Sequence, residues 1–360
     1  MKLKIGIVSA EPSGDLLASK LIENLKEKFN EVELIGVGSG PLGKYKINQD
    51  RKELEIMGLI DPVINYRKIK NFQHELIEQF ISAEIDVFIG VDSPDFNFGI
   101  HKSLKKNDIP TVQVVCPSVW AWRPNRTKHF KHIDYMLCLF EFELNYTSNV
   151  NNSSFCIGHP LVDKANNSIK KEPRNQICLL PGSRQSEIKN NIKIMIDAFN
   201  IFNSKNNFTA TIPCYNEGSK NLVNSYLKNE NNIKSTLKST IDVLSESKAA
   251  IICSGTATLE AFLLKVPSAI VYKTNFLNYL ILKKFVKSKF IGLPNIISNQ
   301  QLYKEFVQSD FTKENIAKEI ENLVTNRNQK KEALDSVELS IKRPNFKDFV
   351  NKFYEDCRSR

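Results

Sequence analysis

The stretch KIGIVSAEPSGDLLASKLIENLKEKF, residues 4–29, decides the fold class of this chain. It opens with a short apolar run, turns through the residues EPSGD, and continues with a leucine at every fourth position from Leu17 to Leu25. This order predicts a strand, a turn and an amphipathic helix. The stretch QICLLPGSRQSEIKNNIKIMIDAFNIF, residues 176–202, repeats it, so the chain is predicted to have two similar halves.

Strands and helices alternate outside these two stretches as well. Apolar, β-branched runs predict further strands at 33–37, 86–91, 111–116, 134–140, 208–212, 249–253 and 267–272. The Asn-, Ser- and Lys-rich segment 149–175 interrupts the pattern and predicts a boundary between a first domain, 1–165, and a second, 174–340. The predicted fold class is α/β, with two Rossmann-like domains whose parallel sheets are covered by helices. Two such domains facing each other would form a cleft for a donor and an acceptor.

Length and composition are those of a soluble globular protein. The 360 residues are 41% hydrophobic and 25% charged, which excludes a disordered chain, a collagen and a coiled coil. The apolar runs are far shorter than the roughly 20 residues that cross a bilayer, and the first is too short for a secretory signal, so we expect a cytoplasmic protein. The seven cysteines lack a CxxC spacing, which favours buried thiols over zinc ligands.

The net charge of +10 comes largely from two basic patches. Residues 273–290 hold five lysines and residues 62–74 hold three basic residues, and neither segment contains an acid. Apolar residues interleave with these charges, as they do at an interface with anionic lipid. The predicted membrane contacts are Ile64, Ile69, Phe72, Phe276, Lys283, Lys284 and Lys287. Two alternatives stay open: the apolar residues belong to the core, or the patches bind nucleic acid.

Two turns of the second half suit a nucleotide diphosphate. PGSR and SGTATLE each follow an apolar run and precede a helix, where free N–H groups attract phosphate and an acid further on can bind ribose hydroxyls. The predicted contacts are Ser183, Arg184, Ser254, Gly255, Thr256 and Glu260. Each motif alone is equally consistent with a simple helix cap. The absence of GxxxxGK[ST] and GxGxxG excludes a P-loop NTPase and disfavours a dinucleotide cofactor.

The turn VDSPDFNFG, residues 91–99, places a carboxylate at the predicted carboxyl end of a strand. Parallel sheets hold their chemistry at this edge. Asp92 is therefore a candidate general base, although the residues alone allow a helix cap equally well. The turn EPSGD, residues 11–15, carries Glu11 and Asp15, which suit the hydroxyls of a sugar better than a phosphate.

Together the motifs resemble those of the lipid-A-disaccharide synthases, inverting glycosyltransferases of the GT-B fold. The matching segments are SAEPSGDLLAS, MGLID, DVFIGVDSPDFN, PSVWAWR, CIGHP, LLPGSRQSEI, SGTATLE and FIGLPNII, in the family's order over about residues 4–300. The resemblance implies transfer of 2,3-diacylglucosamine from its UDP derivative to 2,3-diacylglucosamine 1-phosphate. The products would be the β-1,6-linked disaccharide 1-phosphate and UDP.

The resemblance also implies roles for residues. It makes Asp92 the catalytic base, adds Asn295 to the UDP contacts of the second domain, and implies neither metal nor cofactor. On the acceptor side it predicts Glu11, Ser13, Asp15, Asp95, Asn97 and Trp122. The last helix, 345–360, is expected to pack back on the first domain, as in many GT-B folds.

Acylated substrates imply a peripheral position on the inner face of the cytoplasmic membrane, with a homodimer as one alternative for the assembly. Another UDP-sugar enzyme of similar fold, such as a UDP-N-acetylglucosamine 2-epimerase, is the alternative enzyme. It leaves the membrane-like patches without a role.

Overall fold

The computed structural model describes residues 1–10, 12–45, 66–121, 123–147, 153–167, 172–274, 288–335, 337 and 341–359, without the side chains of residues 12 and 13. The chain separates into two units, one of Met1–Pro160 with Ile341–Arg360 and the other of Leu161–Ser340. Each unit contains a six-stranded parallel sheet with interleaved helices, which confirms the predicted α/β class.

The sheet of the first unit runs through six strands. They are β1 (Lys2–Ser9), β2 (Glu31–Val37), β3 (Val87–Val91), β4 (Thr111–Val114), β5 (Tyr135–Cys138) and β6 (Ser153–Cys156). Their order is β2-β1-β3-β4-β5-β6, and all neighbours are parallel. The central strands are buried on both faces, which is why they read as continuous apolar runs.

Helices cover both faces of this sheet. They are α1 (Pro12–Lys26), α2 (Tyr66–Ser82), α3 (Pro94–Lys105) and α4 (Leu144–Thr147), with 3-10 turns at Gly40–Tyr45, Pro124–His132 and Glu141–Glu143. One face of the sheet packs against Phe80 of α2 and Ile100 of α3. The other packs against the predicted leucine stripe of α1 from Leu17 to Leu25.

The second unit repeats this architecture. Its strands are β7 (Arg174–Leu180), β8 (Thr209–Pro213), β9 (Ile233–Thr236), β10 (Ser247–Cys253), β11 (Ser268–Tyr272) and β12 (Lys304–Val307), in the order β12-β11-β10-β7-β8-β9. Its helices are α5 (Leu161–Asn166), α6 (Gln185–Asn203), α7 (Glu217–Tyr226), α8 (Thr240–Ser245), α9 (Ala257–Leu263), α10 (Leu293–Ser298), α11 (Lys313–Thr325) and α12 (Arg327–Asp335). Ile188, Met195 and Phe199 of α6 are buried in one core, as the sequence predicts. No helix among the described residues is long and apolar enough to cross a membrane.

After the second unit the chain returns to the first. Asn345 N donates to Ile157 O at 2.7 Å, which joins the returning segment to the residue after β6. Helix α13 (Lys347–Arg358) then packs on the α1 side of the sheet. Its residues Phe349 and Phe353 are 1% and 2% exposed, so this helix supplies part of the core of the first unit.

We expect Phe349→Ala to destabilise the first unit by about 3–5 kcal/mol, the range for a buried Phe truncated to Ala. The ring of Phe349 lies 5.6 Å from that of Tyr135 and 5.9 Å from that of Phe155, and the substitution removes both contacts. Urea unfolding measures the effect. Lys347→Ala, an exposed substitution on the same helix, serves as the control and should change stability by less than about 0.5 kcal/mol. Equal stability of the two variants would contradict the prediction.

Candidate active site

Each sheet has a point at which the strand order reverses. In the first unit the chain passes from β1 to β2 on one side and then to β3 on the other. In the second it passes from β7 to β8 and β9 on one side and then to β10 on the other. Loops diverge at such switch points and leave room for a ligand at the carboxyl ends of the strands. Residues 12–15 of the EPSGD motif and the VDSPDF motif flank the first switch point, and PGSR and SGTATLE flank the second.

Asp92 directly follows β3, whose last residue Val91 pairs with Ser9 of β1. The φ angles of Asp92 and Ser93 are 52° and 40°, so two successive residues adopt the left-handed conformation, which is strained for residues with a side chain. Ser93 N donates to Asp92 Oδ1 at 2.8 Å. Within the described part of the chain no hydrogen bond reaches Oδ2. One carboxylate oxygen is thus anchored, and the other is left for a ligand.

The pKa of the Asp92 carboxyl is shifted upward, which is the direction that a general base requires. Burial raises the pKa of Asp92 above its usual value, and the hydrogen bond from Ser93 opposes this shift. A carboxylate with a higher pKa accepts a proton more readily at neutral pH.

Two buried side chains behind Asp92 belong to the site but are not predicted from the sequence. Gln113 of β4 approaches the Asp92 carbonyl oxygen with its Nε2 at 3.1 Å. Its Oε1 lies 2.9 Å from Nε2 of His101 on α3. The signal in the sequence is a glutamine inside the otherwise apolar strand TVQVV, because a polar residue at such a position must have partners.

The predicted acceptor residues take different positions. Asp95 is exposed and pairs with Arg126 and, at 3.3 Å, with Arg123. Asp15 is fully buried in the first turn of α1. Asn97 is also fully buried and its Nδ2 donates to Asp92 O at 2.8 Å. This corrects the prediction for Asn97, which supports the Asp92 loop from within the core instead of facing an acceptor.

The remaining predictions for the acceptor side lie beyond what the structure describes. Glu11 and Trp122 fall outside the described residues, and the side chain of Ser13 is not described. The neighbouring Trp120 donates from Nε1 to Glu143 Oε1 at 3.3 Å. Burial raises the pKa of Glu143 to about 7, against the hydrogen bonds it accepts. Trp120 is therefore an internal anchor of the PSVWAWR segment.

Glu187 shapes the PGSR loop of the second unit. Its Oε2 accepts hydrogen bonds from Ser183 N at 3.1 Å and Arg184 N at 3.3 Å. Gly182 has a φ of 123°, and a Cβ there would lie 2.4 Å from Cβ of Glu187, so only glycine fits. Because Glu187 occupies these two amides, the loop offers a ligand its side chains. Those of Ser183 and Arg184 are exposed.

The SGTATLE loop lies beside the PGSR loop. Gly255 and Thr256 are exposed, while Ser254 Oγ donates to Ile291 O at 2.6 Å. Asn191 of α6 joins the two loops from below, since its Nδ2 contacts Pro181 O at 2.9 Å and Cys253 Sγ at 3.4 Å. The two predicted UDP motifs are therefore adjacent in one unit.

Glu260 lies on α9, within the SGTATLE motif. It is partly buried, and this burial raises the pKa of its carboxyl to about 7, while the charge of Lys164 opposes the shift. Among the described residues, no hydrogen bond reaches the carboxylate of Glu260. A half-buried carboxylate without a protein partner is suited to accept hydrogen bonds from a ligand's hydroxyl groups.

Asn295 is fully buried, and its amide is fully used within the unit. Its Nδ2 donates to Tyr303 O at 2.7 Å and to Glu305 Oε1 at 2.8 Å, and its Oδ1 accepts from Tyr303 N at 2.9 Å. Glu305 also accepts from Ile291 N and Gly292 N, each at 3.0 Å. Asn295 and the unpredicted Glu305 thus hold the loop before α10, and the predicted contact of the Asn295 side chain with UDP would require this buried side chain to become accessible.

The first turn of α2 forms an exposed basic surface. Tyr66 is 59% exposed, and the side chains of Arg67, Lys68 and Lys70, which come after it in the helix, are exposed as well. Ile69 is partly buried, and Phe72 is 6% exposed with its ring 6.4 Å from that of Phe96. Phe72 is therefore a core residue, which corrects its prediction as a membrane contact. Outside the described residues lie Ile64, Phe276, Lys283, Lys284 and Lys287.

All seven cysteines are free thiols, and five of them are buried. Among the described residues no group of three or more His, Cys, Asp or Glu side chains is arranged to hold a metal ion.

Two α/β units, each with a six-stranded parallel sheet and polar loops at its switch point, define the fold class as GT-B-like. The solved UDP-GlcNAc 2-epimerase from Neisseria meningitidis, bound to UDP-GlcNAc, matches with a TM-score of 0.66 over 100% of both chains at 13% identity. At this identity the likeness supports the fold alone.

Sequence comparison identifies the particular family. The lipid-A-disaccharide synthetase family model matches residues 5–351. The lipid-A-disaccharide synthase of Acinetobacter baylyi is 34% identical over 357 residues, covering 91% of this chain and 90% of that protein. That of Pseudomonas putida strain GB-1 is 32% identical over 357 residues, covering 95% of both. The chain belongs to the lipid-A-disaccharide synthase family and is a glycosyltransferase of lipid A biosynthesis.

Proposed function

We propose that this enzyme transfers 2,3-diacylglucosamine from its UDP derivative to the 6-hydroxyl of 2,3-diacylglucosamine 1-phosphate. The observation that carries the proposal is the carboxylate of Asp92 at the switch point of the first unit, in a chain of this family. Its Oδ1 accepts a hydrogen bond from Ser93 N, while no hydrogen bond from the described residues reaches its Oδ2. The products are the β-1,6-linked disaccharide 1-phosphate and UDP.

The chemistry is a single displacement with inversion. The acceptor 6-oxygen forms a bond to the anomeric carbon as the bond from that carbon to the UDP oxygen breaks. The hydroxyl proton must leave during this step, and Asp92 Oδ2 receives it in our proposal, because Oδ1 already accepts from Ser93 N. The raised pKa of Asp92 favours this transfer.

The second unit stabilises the leaving UDP in this proposal. Arg184 presents an exposed guanidinium, which can bind two phosphate oxygens at once. The positive end of the 19-residue helix α6 lies directly after it. The Glu260 carboxylate, which accepts no hydrogen bond from the described residues, accepts hydrogen bonds from the ribose hydroxyls in this proposal. Charge that develops on the diphosphate as the sugar departs is thereby stabilised.

We expect Glu260→Gln to weaken the binding of UDP about tenfold or more, because hydrogen bonds to a charged group contribute about 1.5–3 kcal/mol. The binding of inorganic diphosphate, which has no ribose, should weaken much less.

The same substitution should also stabilise the second unit at pH 8. Folding raises the pKa of the Glu260 carboxyl from 4.5 to about 7. The free energy of unfolding therefore falls by up to about 3 kcal/mol as the pH rises between these two values. Glutamine does not ionise, so the variant does not lose this stability.

Calorimetric titration and urea unfolding at pH 5 and pH 8 measure the two effects. Glu217→Gln, an exposed glutamate of the same unit, is the control for both. Equal weakening of UDP and diphosphate would show that the ribose assignment is wrong.

We also place the enzyme at an anionic membrane surface, since both substrates carry acyl chains. Helix α2 leads into β3 and runs back across a sheet of parallel strands, so its N-terminus lies at the carboxyl edge that holds Asp92. The exposed basic turn of α2 is therefore at the edge where an acylated acceptor must arrive. Basic side chains beside the apolar ring of Tyr66 suit lipid headgroups.

Mass spectrometry of the products tests the proposed reaction. With UDP-2,3-diacylglucosamine and the 1-phosphate acceptor, we expect the disaccharide 1-phosphate and UDP in equal amounts. Release of UDP without the disaccharide, or conversion of UDP-GlcNAc to its 2-epimer, would contradict the assigned substrates.

A further inference from the structure

A buried pair of polar side chains lies directly behind Asp92. His101 and Gln113 are both fully buried. Nε2 of His101 lies 2.9 Å from Oε1 of Gln113. On its other side, Nε2 of Gln113 donates to the carbonyl oxygens of Asp92, at 3.1 Å, and Val114, at 3.0 Å. The pair therefore connects α3, through β4, to the backbone of the candidate base.

The directions of these hydrogen bonds are fixed by chemistry. Carbonyl oxygens accept only, so the amide nitrogen of Gln113 must face Asp92 O and its oxygen must face His101. His101 then carries its proton on Nε2. Burial lowers the pKa of His101 to about 4, so the ring is neutral near pH 7. Without this donor the glutamine amide could turn and place its oxygen against Asp92 O, which is repulsive.

The carbonyl of Asp92 needs such support because of its backbone conformation. Asp92 and Ser93 both have positive φ angles. Asn97 Nδ2 at 2.8 Å and Gln113 Nε2 at 3.1 Å both donate to Asp92 O and so hold the plane of the following peptide. Gly90 allows this approach, since a Cβ there would lie 3.0 Å from His101 Nε2. Ser93 N, which anchors Asp92 Oδ1, belongs to the same peptide.

We infer that Gln113 and His101 are positioning residues for the reaction. They fix the peptide between Asp92 and Ser93 and thereby the direction in which Asp92 Oδ2 points. This inference rests on the proposed role of Asp92 as the base. A misplaced base lowers the rate of the chemical step, and a displacement of about 1 Å can reduce it roughly 10²-fold.

The test compares Gln113→Leu with a matched glutamine of the other sheet. Gln176 is also buried on a parallel strand, accepts from Thr211 Oγ1 at 2.9 Å and donates to Ser247 Oγ at 3.0 Å. We expect Gln113→Leu to lower kcat about 10- to 100-fold while KM for the UDP donor stays within about twofold. Gln176→Leu should lose comparable stability and keep kcat within about twofold.

Substitution of His101 provides a second readout that does not depend on the fate of Gln113→Leu. His101→Gln retains a buried N–H donor for Gln113 Oε1 and should keep most of kcat. His101→Leu removes that donor and should lower kcat about tenfold. Urea unfolding, followed for the whole protein, reports whether the first unit of each variant is folded.

The outcomes separate this inference from the proposed function. The positioning role alone would be overturned if Asp92→Asn is inactive while Gln113→Leu has a normal kcat. If Gln113→Leu does not fold, a normal kcat in His101→Leu would lead to the same conclusion. Normal turnover in Asp92→Asn would overturn the base assignment and the positioning role with it. Equal losses of kcat in Gln113→Leu and Gln176→Leu would show a general effect of stability and overturn the inference.

Discussion

Replacing Asp92 with Asn is expected to lower kcat by about 10²-fold or more, because a positioned general base contributes roughly 10²–10⁴-fold. Asparagine keeps the size of the side chain and tolerates the left-handed φ of 52°. It cannot take the proton of the acceptor hydroxyl. Affinity for UDP should stay near that of the wild type, because the proposed UDP contacts belong to the second unit. Steady-state kinetics with UDP binding by calorimetry separate the two effects.

Asp108→Asn is a matched control for this substitution. Asp108 is exposed in the turn after α3 and has a φ of 57°, so it tests the effect of the same exchange in the same backbone conformation. It should leave kcat unchanged. If Asp92→Asn also turned over normally, the base would have to be sought at Asp95 or Glu11.

The second large effect is expected at the lipid surface. Reversing the charges of Arg67, Lys68 and Lys70 to glutamate should lower affinity for anionic vesicles about 10²-fold or more, since each basic residue near such a surface contributes about 1 kcal/mol and 1.4 kcal/mol corresponds to a factor of ten. These side chains are exposed on the first turn of α2. Binding of the wild type should also weaken as salt rises, through screening. Vesicle co-sedimentation measures both.

A triple variant on other elements of the first unit controls for the change in net charge. Lys28, Lys128 and Lys131 are exposed lysines elsewhere in the first unit, and their replacement by glutamate gives the same change of charge. Vesicle binding that falls equally in both triple variants would contradict a localised surface. The sequence predicts a comparable loss for Lys283, Lys284 and Lys287, which lie outside the described residues.

The fold was predictable wherever strands are buried on both faces. Strand β3 is apolar throughout, and the buried stretches 5–8 of β1 and 249–253 of β10 are apolar as well, and all three strands were predicted from that pattern alone. Strands β6, β9 and β12 were not predicted. All three lie at the edge of a sheet, where one side has no neighbouring strand, and their sequences SSFC, IKST and KEFV are polar or mixed. Such short segments cannot be distinguished from loops by hydrophobicity.

The site was predictable to the level of its loops but not of its inward-facing side chains. The sequence indicates that VDSPDF ends a strand, but the rotation of α3 decides that Asn97 points into the core. Likewise an apolar stripe at a membrane and one in a core have the same period, so the sequence could not assign Phe72. The roles of Gln113 and Glu305 depend on partners from other strands and loops, which no local pattern reveals.

The return of residues 341–360 to the first unit has a consequence for biosynthesis. Domains at the N-terminus of a growing chain usually fold first, while the ribosome is still translating the rest. Here the core that Phe349 and Phe353 complete cannot close until all of Leu161–Ser340 has been translated. The second unit, whose residues are contiguous, can fold before the first is finished. During that interval the nascent chain exposes the apolar surface that α13 later covers, and this surface is the expected binding site of chaperones.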